Sequence, residues 1–262
     1  MDLSLVGRRA VVCGSSQGIG RAIALELASL GCSITVMARN PERLESVVRE
    51  LDVESNQEHT MIVADFSEAA QVKTGVEQFV GSGKKADVLI NNTGGPPGGP
   101  ATDAATTEFV AAFESHLLCN HLLMQALVPG MKEKGYGRII NIISTSVKQP
   151  IRGLGVSNTI RGAVANWSKT LAAELGPFGI TVNNVLPGMT RTVRLDSIIR
   201  SRSEKSGKSI EEVTRSMESQ IPAGRIADAS EIASAAAFLA SPAASYVNGV
   251  NLPVDGGRTG CL

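Results

Sequence analysis

Residues 11–20, VVCGSSQGIG, constrain this chain more than any other segment. A β-branched run ends in Gly14, two further glycines follow at Gly18 and Gly20, and the helical pattern RAIALELASLG begins at once. A strand, a tight turn and a helix N-terminus are therefore expected in that order. The first glycine lets the chain turn sharply, and the later ones let a pyrophosphate and the following helix approach the backbone. The unpaired N–H groups that open such a helix hold an anion. The spacing is G-x3-G-x-G rather than G-x-G-x-x-G.

The same alternation runs on. Strands are expected at Ala10–Cys13, Ser33–Ala38, Thr60–Ala64, Val88–Asn91, Arg138–Ile143, Thr181–Leu186 and Gly249–Pro253. Helices are expected at Gly18–Leu30, Pro41–Leu51, Glu68–Val80, Thr106–Lys134, Ser157–Leu175 and Ser230–Ala240. Continuous apolar strands separated by helices imply an α/β fold, a doubly wound seven-stranded parallel sheet covered on both faces. No linker or repeat divides the chain, so residues 1–262 read as one domain. Two loops stand out: GGPPGGP at Gly94–Pro100, which follows a strand end, and the polar stretch 191–220. The latter reads either as a solvated helix pair or as a lid, since ligands of open α/β sheets bind beyond the carboxyl ends of the strands.

Charge excludes some functions. With 25 basic and 25 acidic residues, the chain has no global attraction for nucleic acid or an anionic membrane. No apolar run approaches the length of a membrane span, and MDLSLVGRRAVV lacks the apolar core of a signal peptide. Cys13, Cys32, Cys119 and Cys261 are scattered without metal spacing, so no metal is expected and a reducing, cytoplasmic setting suits them. The partner expected is a small molecule.

The second strand ends VMARN. Ala38 stands where an acid would bind a ribose 2′-hydroxyl, and Arg39 can pair with a 2′-phosphate instead. NADP(H) is thus expected over NAD(H). Ser15, Ser16, Gln17 and Asn40 can add hydrogen bonds to that phosphate. Asp65 can accept from an adenine amino group or cap the helix that follows. Asn91, Asn92, Thr93 and Gly94 end the fourth strand, where amides and a glycine can hold the turn against the cofactor.

CGSSQGIG, ADFSE, NNTG, GRIINIIS, GITVNNVLPG and the C-terminal ASEIASAAAFLASPAASYVNGVNLPVDGG together resemble the short-chain dehydrogenase/reductase family across essentially the whole chain. Motif order is similar to that of 3-oxoacyl-[acyl-carrier-protein] reductases, with Cys13 where the family usually has threonine. The resemblance implies that Gly14, Ser16, Gly18, Ile19 and Gly20 line the phosphates and that Asp65 faces the adenine. It places Asn91 and Gly94 along the ribose, and Pro187, Gly188, Thr190 and Thr192 near the nicotinamide. It also implies a homo-oligomer, paired through helices 106–134 and 157–175.

The family's chemistry uses an Asn, a Ser and a Tyr-x3-Lys pair. Here Ser144 takes the serine slot, Ser157 the tyrosine slot, Arg161 the lysine slot and His116 the asparagine slot. An aliphatic alcohol is a far weaker acid than a phenol. Arg161 can donate to ribose hydroxyls but keeps its proton. His116 is either a substitute general acid or a packing residue, and His121 reads as structural. Lys148 and Arg152, just after Ser144, either reach an anionic substrate or lie in solvent. Three functions follow: an NADPH-dependent reductase with altered proton delivery, suited to a conjugated acceptor; a cofactor-binding protein without turnover; and a conventional ketoreductase.

Overall fold

Successive residues of β1 (Arg9–Cys13) serve two different cores. Ala10 and Val12 enter an apolar cluster with Ile23, Leu27 and Ile232, whereas Val11 and Cys13 enter another with Leu123, Leu127 and Leu171. Leu89 and Ile90 divide in the same way, as do Ile139 and Ile140. Side chains alternate along a strand, so a strand covered on both faces must be apolar at both parities. This is why the strands read as unbroken apolar runs.

The computed structural model describes residues 1–261. After β1 come α1 (Gly18–Ser29), β2 (Ser33–Ala38), α2 (Pro41–Glu50), β3 (Thr60–Val63), α3 (Ala69–Gly81) and β4 (Val88–Asn91). Then follow α4 (Thr106–Phe113), α5 (Cys119–Lys134), β5 (Gly137–Ile142), α6 (Gly155–Leu175) and β6 (Ile180–Pro187). The chain closes with α7 (Val193–Ser206), α8 (Ile210–Glu218), α9 (Ala229–Ala240) and β7 (Asn251–Val254). The seven strands are parallel, in the order β3-β2-β1-β4-β5-β6-β7. Helices α1, α2 and α9 cover one face, and α3, α5 and α6 the other. The expected single-domain, doubly wound sheet is the fold observed. No helix among the described residues is long and apolar enough to cross a membrane.

Three expected boundaries move. Gly249 adopts φ +72°, so it belongs to the turn before β7 rather than to the strand. Pro253 is tolerated because β7 is an edge strand. The helix expected at 106–134 is interrupted by one turn of π-helix at Glu114–Leu118. This segment carries apolar residues on more than one face, so the extra residue of the wider turn does not stand out in the sequence. Helix α6 opens at Gly155, where a Cβ would lie 2.4 Å from the Ala101 amide nitrogen. That closeness pins the loop: the Gly99 amide donates to Gly153, and the Gly155 amide donates to Gly99. The polar stretch 191–220 is a helix pair, α7 and α8, closed over its own seam of Leu195, Ile199, Val213, Met217, Ile221 and Ile226.

Strand order reverses between β1 and β4, so the loops leaving their carboxyl ends diverge over a crevice. Asn92 ties the two together, its Nδ2 donating to the carbonyls of Cys13 and Gly14, 3.2 Å each.

Candidate active site

The loop from β1 to α1 is a cradle that admits only glycine at its two closest approaches, Gly14 and Gly20. Gly14 holds φ +59°, and a Cβ there would meet the Asn92 carbonyl oxygen at 2.4 Å. A Cβ at Gly20 would lie 2.3 Å from the Gly14 carbonyl oxygen, so α1 rests directly on the turn. No side chain caps the start of α1, and no acid sits in its first turn. Its amides suit an anion such as the pyrophosphate of a dinucleotide. Gly18 faces Thr192, whose Cγ2 would be 3.3 Å from an added Cβ. The entry to α7 therefore closes the outer side of the cradle. Ser16, Gly18 and Ile19 are half-buried along it.

Ser15 departs from expectation. It is fully buried, its hydroxyl donating to the Val12 carbonyl and accepting from the Met37 amide. It fastens the loop to β2 and has no group left for a phosphate. Gln17 is exposed and accepts from Arg43 Nη1 at 2.9 Å. Asn40 caps α2 through the Arg43 amide. Arg39 extends from the end of β2 into solvent and pairs with Asp65 at 3.6 Å. Arg43, which sequence reading missed, thus meets Gln17 across the mouth of the loop, close in sequence to Arg39. Its signal was its place in the first turn of α2, one turn from the strand end. Asp65 accepts from the amide and hydroxyl of Ser67, which hold its carboxyl below the usual range. This closes a turn ahead of α3 and does not cap that helix, whose start at Glu68 carries no side-chain capping bond, so the expected helix-capping role is not the one observed.

Asn91 is also corrected. Its side chain is sealed inside the sheet, where Nδ2 donates to Asn141 Oδ1 in a network that continues to Ser168 and Asn184. Only its backbone faces the crevice side. Gly94 is exposed beyond the strand end. At the end of β6, Pro187 and Gly188 are fixed by the Gly188 amide donating to the Val254 carbonyl. Thr190 is buried, its hydroxyl donating back to Gly188, and Thr192 caps α7 through the Leu195 amide.

At the other half of the crevice, Ser144 leaves the end of β5, its oxygen accepting from the Ser146 amide at 3.1 Å. Its own proton stays free to donate. Ser157 and Arg161 lie one turn apart on α6, both more than nine-tenths buried. Among the described residues Ser157 Oγ has no hydrogen-bond partner. Arg161 Nη1 donates to the Ile142 carbonyl at 3.0 Å. Burial, with Arg194 nearby, pushes Arg161 down to about 10, which still leaves it charged at neutral pH. His116 projects from the π turn, is buried, and shares a 2.5 Å hydrogen bond with the Thr93 hydroxyl.

Burial, then Arg161 and Arg194, push His116 down to about 2. It is therefore neutral at working pH and is no imidazolium acid; the substitute-acid expectation gives way to an orienting one. Thr93 finds its role here as the partner of His116. Lys148 is half-buried in the loop after Ser144 and Arg152 is exposed. Neither tyrosine reaches the site. Tyr136 lies before β5, at the opposite end of the sheet from Ser144, and its hydroxyl donates to Ala240. Tyr246 is fully exposed.

A family model described as enoyl-(acyl carrier protein) reductase matches residues 14–259. The chain is 33% identical over 253 residues to the NADPH-dependent reductase BacG of Bacillus subtilis, covering 95% of this chain and 97% of that one. It is 32% identical over 251 residues to the 3-oxoacyl-[acyl-carrier-protein] reductase FabG of Haemophilus influenzae, covering 96% and 98%. Among solved structures, L-sorbose reductase from Gluconobacter frateurii, in complex with NADPH and L-sorbose, superimposes with a TM-score of 0.94. It is 31% identical, and both chains are covered completely.

Proposed function

The chain belongs to the short-chain dehydrogenase/reductase family, and from that premise we propose that it is an NADPH-dependent reductase of a small carbonyl or conjugated acceptor, with proton delivery by solvent. The observation that carries this reading is the pair of Ser157 and Arg161 buried side by side on α6, with both tyrosines remote from it.

Preference for the 2′-phosphorylated cofactor rests on Arg39 and Arg43 at the rim and on Ala38 where an acid would stand. When bound, the reduced nicotinamide supplies a hydride. Gly14, Gly18 and the open start of α1 hold the pyrophosphate, while Arg161 donates to ribose hydroxyls. Ser144 donates to the substrate oxygen as negative charge develops there. Ser157, shorter than a phenol and without an internal partner, leaves room for a water beside that oxygen. His116 positions Thr93 rather than giving up a proton. None of these groups is a strong acid near neutrality, so the acceptor that fits is one whose anion is delocalised. An enone gives an enolate, for which a weak donor suffices, whereas a simple ketone gives an alkoxide that demands a good acid. Exposed Val110, Phe113 and Leu118 on one helix face add self-association to the reading.

Cyclohexenone and cyclohexanone test it, followed by NADPH absorbance. The enone is expected to react roughly 100-fold faster or more, the contribution a positioned acid would otherwise make. Rapid reduction of the saturated ketone, lost in Ser157→Ala, overturns the conjugate-acceptor argument. The absence of a strong acid also supports a second reading, a cofactor-binding protein without turnover. Transfer of label from NADPH deuterated at the reacting carbon to any acceptor eliminates it.

A further inference from the structure

The helix pair that fills residues 191–220 is tied across the crevice at its near end. In the sheet, β4 and β5 stand between β6 and β1. At about 4.8 Å per strand, the segment leaving β6 must cross roughly 14 Å of strand ends to reach the loop after β1. It does so, since Thr192 lies against Gly18. Two residues on, Arg194 in the first turn of α7 reaches the loop after β4. Its Nη1 donates to the Gly95 carbonyl at 2.6 Å and its Nη2 to the Pro96 carbonyl at 2.9 Å, so one planar fork takes two successive carbonyls. The loop is shaped to receive it. A Cβ on Gly95 would lie 3.1 Å from Nη1, 3.2 Å from Nη2 and 3.3 Å from Cζ, so the guanidinium rests its face on a residue without a side chain. Pro96, Pro97 and Pro100 fix φ and stiffen the loop. The far end of the loop is fastened to the turn before α6, where the Gly99 amide donates to Gly153 at 2.8 Å and the Gly155 amide to Gly99 at 3.0 Å. Helix α6 carries Ser157 and Arg161. The entry to α7, the 94–100 loop and α6 thus form one strap over the crevice. Among the described residues, only Arg194 supplies hydrogen bonds between α7 and that loop.

We propose that Arg194 is a latch: its fork on Gly95 and Pro96 opens each time NADPH enters or leaves the cradle, and its strength sets the rate of that exchange. The proposal deepens the reading above and rests on its cofactor half alone. Thr192 caps α7 through the Leu195 amide, so the first turn moves as a unit and keeps Gly18 covered while Arg194 holds the loop. Both partners of the latch belong to the chain, so closure is equally favoured with and without a dinucleotide. A gate of that kind scales entry and exit by the same open fraction and leaves the equilibrium between them where it was. A residue that touched the cofactor would act otherwise: its loss would speed release alone and weaken binding. On opening, the guanidinium and the two carbonyls turn to water. The net preference for the closed form is therefore that of exposed charge-assisted hydrogen bonds, roughly tenfold.

Stopped-flow fluorescence of NADPH tests this, with binding followed on mixing and release followed by a chase with excess NADP⁺. In Arg194→Gln, whose shorter side chain cannot span both carbonyls, the two rate constants should rise together by roughly tenfold while the Kd stays within about twofold. Arg194→Lys, a point charge in place of the fork, should fall between. Gly95→Ala attacks the latch from the other side, since the added methyl displaces the guanidinium and leaves its charge in place. It should raise both rates as well, and the double variant should be no faster than Arg194→Gln alone. Unchanged rates in Arg194→Gln overturn the proposal. Faster release with unchanged entry also overturns it and makes Arg194 a cofactor contact. Effects of the two substitutions that simply add overturn it too, because they would then act at separate places. The underlying reading fails separately: a native protein that binds no NADPH overturns the cofactor assignment, whereas one that binds NADPH at rates indifferent to Arg194 overturns the latch alone.

Discussion

At the amino ends of the strands one buried carboxylate holds Arg8 and Lys134, whereas at the carboxyl ends the buried Arg161 has no acid beside it among the described residues. Asp87, 1% exposed, accepts from Lys134 Nζ at 2.9 Å, from the Arg9 amide at 2.9 Å and from Arg8 at 3.4 Å. The Tyr136 ring lies between the Arg8 and Arg138 guanidiniums, 3.7 Å and 4.2 Å from its centroid. Arg138, 3% exposed, has no acid among the described residues and is held instead by that ring and by the carbonyls of Gly137 and Gly179, so charge there works for the fold. At the other end Arg161 gives one N–H to the Ile142 carbonyl and has no further partner among the described residues, a buried cation that costs stability. The difference separates a structural charge network from a functional one within a single sheet.

Removing the amino-end hub gives the largest effect. Asp87→Asn is expected to destabilise the protein by about 3 kcal/mol, the low end for a broken buried pair. Arg8 and Lys134 keep 34% and 35% side-chain exposure and can turn to water. Urea unfolding measures the loss, and the KM for NADPH should not change below the transition. A changed KM would mean that the two ends are not independent.

The opposite sign is expected at the other end. Arg161→Met removes a buried cation that has no counter-ion and should stabilise the ligand-free protein by about 1–2 kcal/mol, net of the hydrogen bond lost to Ile142. Reductase activity should fall in the same variant. Destabilisation instead would place Arg161 among the structural charges and erase the contrast.

How far the sequence reveals each end follows from what sets it. The strands were legible within two residues because burial on both faces forces unbroken apolar runs. The glycine cradle was legible because φ near +60° at Gly14 and Gly18 leaves little alternative to glycine. Side-chain direction was not. Ser15 and Asn91 looked like ligand groups by position, yet both turn inward to Met37 and Asn141. Nothing local distinguishes a serine that faces a phosphate from one that ties a loop to the next strand. Arg43 and Arg194 were missed for the same reason: each sits in a first helical turn among other charged residues, and only the crossing of distant segments shows what it faces. The π turn that presents His116 leaves no trace in the apolar pattern.

The smallest expected effect concerns His116, where the carboxyl-end cations act on a neighbour. Its folded value near 2 lies far below the ordinary 6.5 of histidine. An unfolded chain therefore takes up a proton below about pH 6.5 that the folded chain refuses. Stability from this group is complete above that pH and falls as the solution is acidified. The loss reaches about 1.4 kcal/mol by pH 5.5 and continues at about one proton per molecule toward pH 2. Unfolding in urea at pH 7 and at pH 5.5 measures it. His116→Gln, which keeps a hydrogen-bonding group for Thr93, should remove that one-proton slope. Desolvation is the largest cause and the two arginines come after it. Arg161→Met should therefore leave most of the slope in place, and a slope that vanished with Arg161 would make the unpaired charges, not burial, the force that keeps His116 neutral.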